Sequence, residues 1–233
     1  MSIQNFEILE SADDRTLSAG VAARLRADIL NGALAPGSRL AMTDLTKRYG
    51  AGMSPVREAL SRLLGEGLVQ TEGQRGFRVA AMSRADFNEI VMLRQMVEEA
   101  GVRAAIEKGD EEWEASLVAA FHLLERRHAL LQERATDEAL AAYEEAHRRF
   151  HFAIIAGAGS ARLSRMQQRL YEEARRYRLL FYKKHVAGSA VDFAEAGTVH
   201  REILDAVLAR DADRAAEILR GHVTLIEDFD PEE

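Results

Sequence analysis

The sequence predicts a mostly α-helical chain, built as an N-terminal winged helix-turn-helix head followed by an all-α antiparallel helical bundle. Three observations predict it. Helical spacing recurs in three short segments before residue 66, and two short apolar runs then flank a glycine-rich tip. Beyond residue 83 the apolar residues keep a helical period to the end of the chain. The 233 residues contain only three prolines and 6% aromatics, which leaves few helix breakers.

From Leu17 to Asn31 the spacing Val21, Leu25, Ile29 marks a first helix, with Gly32 placed to end it. Ala35-Pro36-Gly37-Ser38 is a turn. A second helix follows, with Thr43 as N-cap and Leu45 and Tyr49 on its buried side. Ala51-Gly52-Met53 bends the chain into a third. There Ser54 is read as N-cap and Pro55 as first helical residue, with Val56, Leu60, Leu63 and Leu64 as the apolar stripe. Arg57, Ser61 and Arg62 lie off that stripe and face outward. Residues 68–71 and 77–80 read as strands joined by Glu72-Gly73-Gln74-Arg75-Gly76. Ser83-Arg84-Ala85-Asp86 restarts a helix as a capping box, which sets a domain boundary near Met82. The expected organisation is a loose arm over 1–16, a head over 17–82 and a helical domain over 83–233. The helices of the last part are read at 84–108, 110–132, 137–156, 161–184, 192–209 and 212–228.

The net charge of −7 is unevenly spread. Residues 36–80 hold seven Lys/Arg against four acids, a local +3 that leaves −10 for the remainder. A basic module on an acidic body suits a duplex reader with a separate sensing part. The absence of cysteine excludes disulfides and thiolate metal sites. With no apolar run of membrane-spanning length and no basic-then-apolar leader, the expectation is a cytoplasmic protein without a membrane partner.

Ile29-Leu30-Asn31-Gly32-Ala33-Leu34-Ala35-Pro36-Gly37-Ser38-Arg39-Leu40, Pro55-Val56-Arg57-Glu58-Ala59-Leu60 and Gly67-Leu68-Val69 with Arg75-Gly76-Phe77-Arg78-Val79 together resemble the GntR transcription regulators. The resemblance implies that Arg57 reaches base edges or phosphates in the major groove and that Arg75-Gly76 enters the minor groove. Arg39, Ser54, Ser61 and Arg62 complete the DNA-facing set, Arg62 being equally readable as a surface charge. Many members carry Ser-Arg where this chain has Gly52 and Met53, and methionine cannot donate to guanine or phosphate. The all-helical second half is similar to the FCD effector-binding domain of the FadR subfamily.

Four histidines fall on inward stripes: His147 and His151 one turn apart, His200 with Ile203 and Val207, and His222 with Ala215 and Leu219. A buried imidazole needs a partner. Hydrogen bonds to neighbouring helices would serve each singly, whereas one shared divalent metal would serve all four. An all-nitrogen set favours Zn²⁺ or Ni²⁺. By the FCD resemblance His151, His200 and His222 match three histidine ligands, while His147 stands where an acidic or amide residue is usual. The resemblance also places Arg94 near the effector, either gripping a carboxylate or paired with Glu98 one turn on. Tyr177 and Arg178 are candidates for the opposite wall, within a charge run read as mostly solvated.

These readings point to a dimeric repressor of a catabolic operon that binds a palindromic operator and is released by a small carboxylate. Gly50 to Pro55 and the His147/His151 pair are most similar to CsiR-type regulators of glutarate and 4-aminobutyrate catabolism, which makes a C5 dicarboxylate the expected ligand. The rival class is a metal-dependent hydrolase or lyase with Glu144 or Glu145 as base, although both are read as lying off the histidine stripe.

Overall fold

The computed structural model describes residues 12–73, 76–186 and 193–223. Its contacts divide the chain into two compact units, Met1–Met82 and Ser83–Glu233.

The first unit contains α1 (Ala12–Leu30), β1 (Arg39–Leu40), α2 (Met42–Tyr49), α3 (Met53–Gly65), β2 (Val69–Thr71) and β3 (Phe77–Val79). Helix α1 begins earlier than expected. Residues 12–16, read as loose arm, carry no glycine or proline to stop the helix propagating back from its packed turns, and residues 1–11 lie outside the described part. At its other end Gly32 takes φ +73°, and the Leu34 amide closes the helix on the Asp28 carbonyl at 3.0 Å. That left-handed turn is open to glycine at little cost.

Two caps differ from the sequence reading. Helix α2 starts at Met42 with Ala41 as N-cap, so Thr43 sits inside its first turn. The chain enters α2 straight from β1, and the Leu45 amide already reaches the Ala41 carbonyl. Helix α3 starts at Met53 with Gly52 as N-cap, leaving Ser54 and Pro55 within the first turn. Proline is tolerated there because the first four amides of a helix have no partner inside it. The buried stripe of α3 is Val56, Ala59, Leu60 and Leu63, whereas Leu64 is 39% exposed. Eight residues after Val56 it has rotated about 80° off the core direction at 100° per residue.

The three strands form one antiparallel sheet in the order β1-β3-β2, with Arg39 opposite Arg78 and Val69 opposite Val79. Strand β1 is absent from the sequence reading because two residues show no alternation. Leu25, Val56, Leu60, Leu63 and Val79 are closed off from solvent in the core.

The second unit is helical throughout its described residues: α4 (Arg84–Lys108), α5 (Glu111–Glu133), α6 (Asp137–Ala156), α7 (Ala161–Val186), α8 (Phe193–Leu208) and α9 (Ala212–His222). Five of the helix starts carry side-chain caps. Ser83, Asp110, Thr136, Ser160 and Asp211 accept from the amides of Asp86, Trp113, Ala139, Leu163 and Arg214. The stretch of the last expected helix beyond residue 223 lies outside the described part. Trp113 wedges between the helix ends: a Cβ on Gly109 would lie 2.0 Å from its ring and one on Gly157 2.7 Å from it. No described helix is long and apolar enough to cross a membrane.

Candidate functional site

The first unit presents α3 and the β2–β3 edge. Arg57, Ser61 and Ser54 are exposed on α3, and Arg39 is exposed on β1. The Ser61 hydroxyl donates to the Arg57 backbone carbonyl at 3.0 Å. Arg62, exposed on the same helix, donates to Glu58 at 2.6 Å and to the buried Ser18 hydroxyl at 3.3 Å, which links α3 to α1. Gly76 is exposed at φ +109°, and its carbonyl accepts from the Glu72 amide at 2.9 Å to close the wing. Arg75 lies outside the described residues. Met53 is 59% exposed at the start of α3, an apolar end on an otherwise polar face.

In the second unit, α6, α8 and α9 bring His147, His151, His200 and His222 together. One ring nitrogen from each falls within 4.8 Å of the others. His147, His151 and His200 are buried and His222 is partly so. The His151 and His222 rings stack at 5.0 Å with their Nε2 atoms 3.2 Å apart. Two nitrogens ligating one Zn²⁺ at about 2.0–2.1 Å would be separated by about 2.8–3.4 Å for right-angled to tetrahedral geometry. The other ring nitrogens, Nδ1 of His151 and of His222, are buried with no hydrogen bond. His147 Nδ1 lies 2.6 Å from the Tyr171 hydroxyl. In the tautomer that leaves Nε2 free to ligate, this Nδ1–H donates to Tyr171, the arrangement that orients metal-bound imidazoles. The donor set therefore fits a nitrogen-preferring divalent ion.

The electrostatics agree with neutral imidazoles. Burial, followed by the neighbouring histidines, drives His147 and His222 well below the usual histidine range. Burial also lowers His151, against the pull of Glu98. An unprotonated imidazole is the form that binds metal.

Arginine–glutamate pairs flank the cluster. Arg94 donates to Glu98 Oε1 through Nε at 2.9 Å and Nη2 at 2.7 Å, both residues being buried. Glu98 Oε2 is left without a hydrogen bond, 3.8 Å from His151 Nδ1. Burial alone would raise the Glu98 carboxyl, but the Arg94 charge and His151 outweigh it and hold the pKa down to about 2. Arg178 grips both oxygens of Glu144 at 2.9 and 2.8 Å. Arg94 and Arg178 also lie over the Tyr171 ring, at 5.6 and 4.6 Å from its centroid.

Several expectations need correction. Glu144, read as off the histidine stripe, is 1% exposed. It precedes His147 by three residues and His151 by seven, which at helical spacing is the same face. The run containing Arg176 and Arg178 is buried at both positions, not solvated. Tyr177 belongs elsewhere: its hydroxyl donates to Asp86 at 2.5 Å and accepts from the Ser83 amide at 3.3 Å, tying α7 to the start of α4. The pair of Arg94 with Glu98 one turn on, one of the two readings of Arg94 in the sequence, is present in the structure, whereas Tyr171 is a site neighbour the sequence reading did not name and nothing local marks it.

Arg94, Arg178, His147, His200 and His222 line a cavity of about 50 Å³. A dry cavity of roughly 150 Å³ holds benzene, so this one has room for an ion and little else. A second cavity of about 360 Å³, walled by Phe121, Leu124 and His128, shares Tyr143 and His200 with the first.

Residues 17–79 match the bacterial regulatory proteins of the gntR family, and residues 89–225 match the FCD domain. The chain is 39% identical to the HTH-type transcriptional repressor GlaR of Escherichia coli (strain K12), over 85% of this chain and 89% of that protein. It is 41% identical to the uncharacterized HTH-type transcriptional regulator BphR of Paraburkholderia xenovorans (strain LB400), over 91% and 84%. Among solved structures, a GntR transcriptional regulator from Rhodococcus sp. RHA1 matches with a TM-score of 0.68 at 27% identity, covering 91% of this chain and 96% of that one. McbR/YncC of E. coli shares the fold, with a TM-score of 0.69 at 23% identity over 89% and 93%.

Proposed function

The chain belongs to the GntR family of bacterial regulatory proteins and carries an FCD domain, and from that premise we propose that it is a dimeric, cytoplasmic repressor of a catabolic operon, released by a small dicarboxylate. Its families and relatives are transcription regulators, not enzymes. That sets aside the hydrolase reading, and the site agrees: Glu144 is held by Arg178, and Glu145 by Arg148 and Arg149, so neither stands as a general base.

Arg57, with Ser61 and Ser54, would read the major groove of a palindromic operator while Arg39 and the Arg75-Gly76 tip hold its backbone. His147, His151, His200 and His222 would hold a divalent transition metal, Zn²⁺ or Ni²⁺. When bound, the metal supplies a Lewis-acidic point for a carboxylate oxygen. Arg94 and Arg178 would take the other end of the effector in exchange for Glu98 and Glu144.

The observation that carries this reading is the pairing of a four-imidazole cluster with two buried arginines beside a cavity too small for the effector. A nine-atom dicarboxylate enters only if a wall moves, and a ligand that binds one wall arrangement better than another shifts the population. Helix α7 carries both Arg178 and Tyr177, so its movement would be felt at the Ser83–Asp86 turn that opens α4.

The test is fluorescence anisotropy of the protein on its own upstream DNA, titrated with glutarate, beside calorimetry of glutarate on wild type and Arg94→Ala. Binding should weaken steeply with salt, glutarate should release the DNA, and Arg94→Ala should abolish that release. Unchanged glutarate affinity in Arg94→Ala removes Arg94 from the site.

A further inference from the structure

Met53 opens α3 and is the most exposed large apolar residue among the described residues of the first unit, at 59% against 44% for Leu17 and 39% for Leu64. A lone exposed apolar residue is commonplace on a protein surface; what sets Met53 apart is its setting. It precedes Arg57 by one helical turn, so the two share a face, and Ser61 continues the row one turn further. Met53, Ser54, Arg57 and Ser61 are all exposed. The preceding Gly52 is exposed too, and nothing in the described chain asks for a glycine there. Its φ of −67° is open to any residue, and a Cβ would meet only the Pro55 ring, in ordinary contact at 3.9 Å. Serine, aspartate or asparagine would cap α3 better. With no internal reason for it, the glycine fits a surface that another backbone approaches closely, directly beside the methionine.

We propose that Met53 reads a base, packing on the 5-methyl group of a thymine in the major groove of the operator. The inference rests on the proposed placement of α3 in that groove and deepens it by naming a base. Recognition helices contact base edges with their N-terminal residues, and Met53 is the first residue of α3. Its thioether has no donor and is at most a weak acceptor, so it makes no good hydrogen bond to a base edge or a phosphate. The apolar group that the major-groove edge offers is the thymine methyl. Methionine suits it, because an unbranched chain with three rotatable bonds adapts to the surface it meets. Met53 and Arg57 are four residues apart, about 6 Å along the axis at 1.5 Å per residue. That is less than two base-pair steps of about 3.4 Å, so the thymine lies within about two base pairs of the one that Arg57 contacts.

Deoxyuridine lacks only the 5-methyl of thymidine, so it removes the contact from the DNA and leaves the protein untouched. Thymines of the protein's upstream DNA are replaced one at a time by deoxyuridine. Binding is read by fluorescence anisotropy at fixed salt for wild type, Met53→Leu and Met53→Ala. A methyl counts as about one buried CH₂, so at one thymine in each half-site wild type should lose about fourfold in affinity, and about 15-fold when both are replaced. Met53→Leu should keep that loss. Met53→Ala should bind the unmodified DNA more weakly and lose nothing further at these thymines, while responding as wild type does at the others. Alanine favours the helix, and circular dichroism confirms the fold. A wild type that binds the DNA but loses nothing at any deoxyuridine, or loses as much in Met53→Ala at every one, overturns the thymine contact and leaves the regulatory reading standing. A wild type that does not bind its upstream DNA overturns both.

Discussion

Glu98→Gln isolates the coupling between the arginine pair and the imidazole cluster. Both Arg94 donors end on Glu98 Oε1, and Oε2 faces His151 Nδ1 at 3.8 Å. If His151 ligates through Nε2, its Nδ1 carries the proton and points at that carboxylate oxygen. Glutamine preserves the shape and keeps its carbonyl oxygen for Arg94, which forces its NH₂ toward His151. Two donors then face each other. Relief comes when His151 moves its proton to Nε2 and accepts at Nδ1, and that tautomer cannot ligate through Nε2. Losing an outer-shell partner costs about 10–100-fold in metal affinity. The 3.8 Å distance alone argues for the lower figure, but the reversed polarity argues for about 100-fold. The assay is Zn²⁺ competition against a chromophoric chelator, with the fold checked by circular dichroism. Folded Glu98→Gln that binds Zn²⁺ within twofold of wild type would refute both the ligand assignment and the role of Glu98.

Three other outcomes follow from the same geometry. Glu144→Leu leaves the Arg178 cation buried without its bidentate partner. At about 3–5 kcal/mol for breaking a buried pair and roughly 2–4 °C per kcal/mol at this size, thermal melting should drop by about 6–20 °C. Glu145→Ala breaks pairs that are partly exposed and should cost under about 1 kcal/mol. Arg57→Ala should weaken operator binding by about 10–100-fold, measured by anisotropy at fixed salt, while Arg62→Ala should act mainly on stability through its loss of Ser18 and Glu58. The metal-free protein should be acid-labile. His147 and His222 titrate well below 6.5 when folded, so the unfolded chain takes protons first. Their contribution is complete above pH 6.5 and is lost as pH falls from there toward the folded values. Melting temperature against pH in the presence of chelator checks this, and a flat profile from pH 7 to 5 would contradict it.

What the sequence made legible was whatever repeats at helical spacing. Val21, Leu25 and Ile29 located α1, and the stripe through Tyr143, His147, Phe150 and Ile154 located the chamber side of α6. The winged head was readable because its turns and wing carry glycines with little substitute, as Gly32 and Gly76 show. What escaped was set by tertiary context. The starts of α2 and α3 are fixed by where β1 ends and where Gly52 bends, not by the hydroxyls of Thr43 and Ser54. Glu144 was misread although its spacing to His147 was available, because a carboxylate on an apolar face looks like an error until Arg178 arrives from α7. Tyr171 meets His147 from a helix that begins fourteen residues after it, and only packing determines that contact.

The two arginine pairs also bear on which effector can work the switch. An effector carboxylate that replaces Glu98 on Arg94 recreates the bond it breaks, and the displaced Glu98 must find a new partner or water. That exchange is near neutral at best. Moving a two-state equilibrium from 1:99 to 99:1 needs about 5.5 kcal/mol of differential affinity, so the exchange alone cannot drive it. The surplus has to come from a second anionic end at the imidazole cluster, where a metal would offer a charge that Glu98 does not already satisfy. Glutarate should therefore release operator DNA at concentrations at least about a hundredfold below butyrate, since about 2.7 kcal/mol separates affinities by that factor. Removing the metal should erase most of the difference. Equal potency of butyrate and glutarate on the metal-loaded protein would mean that one carboxylate suffices, and the bridging of arginine to metal would have to be abandoned.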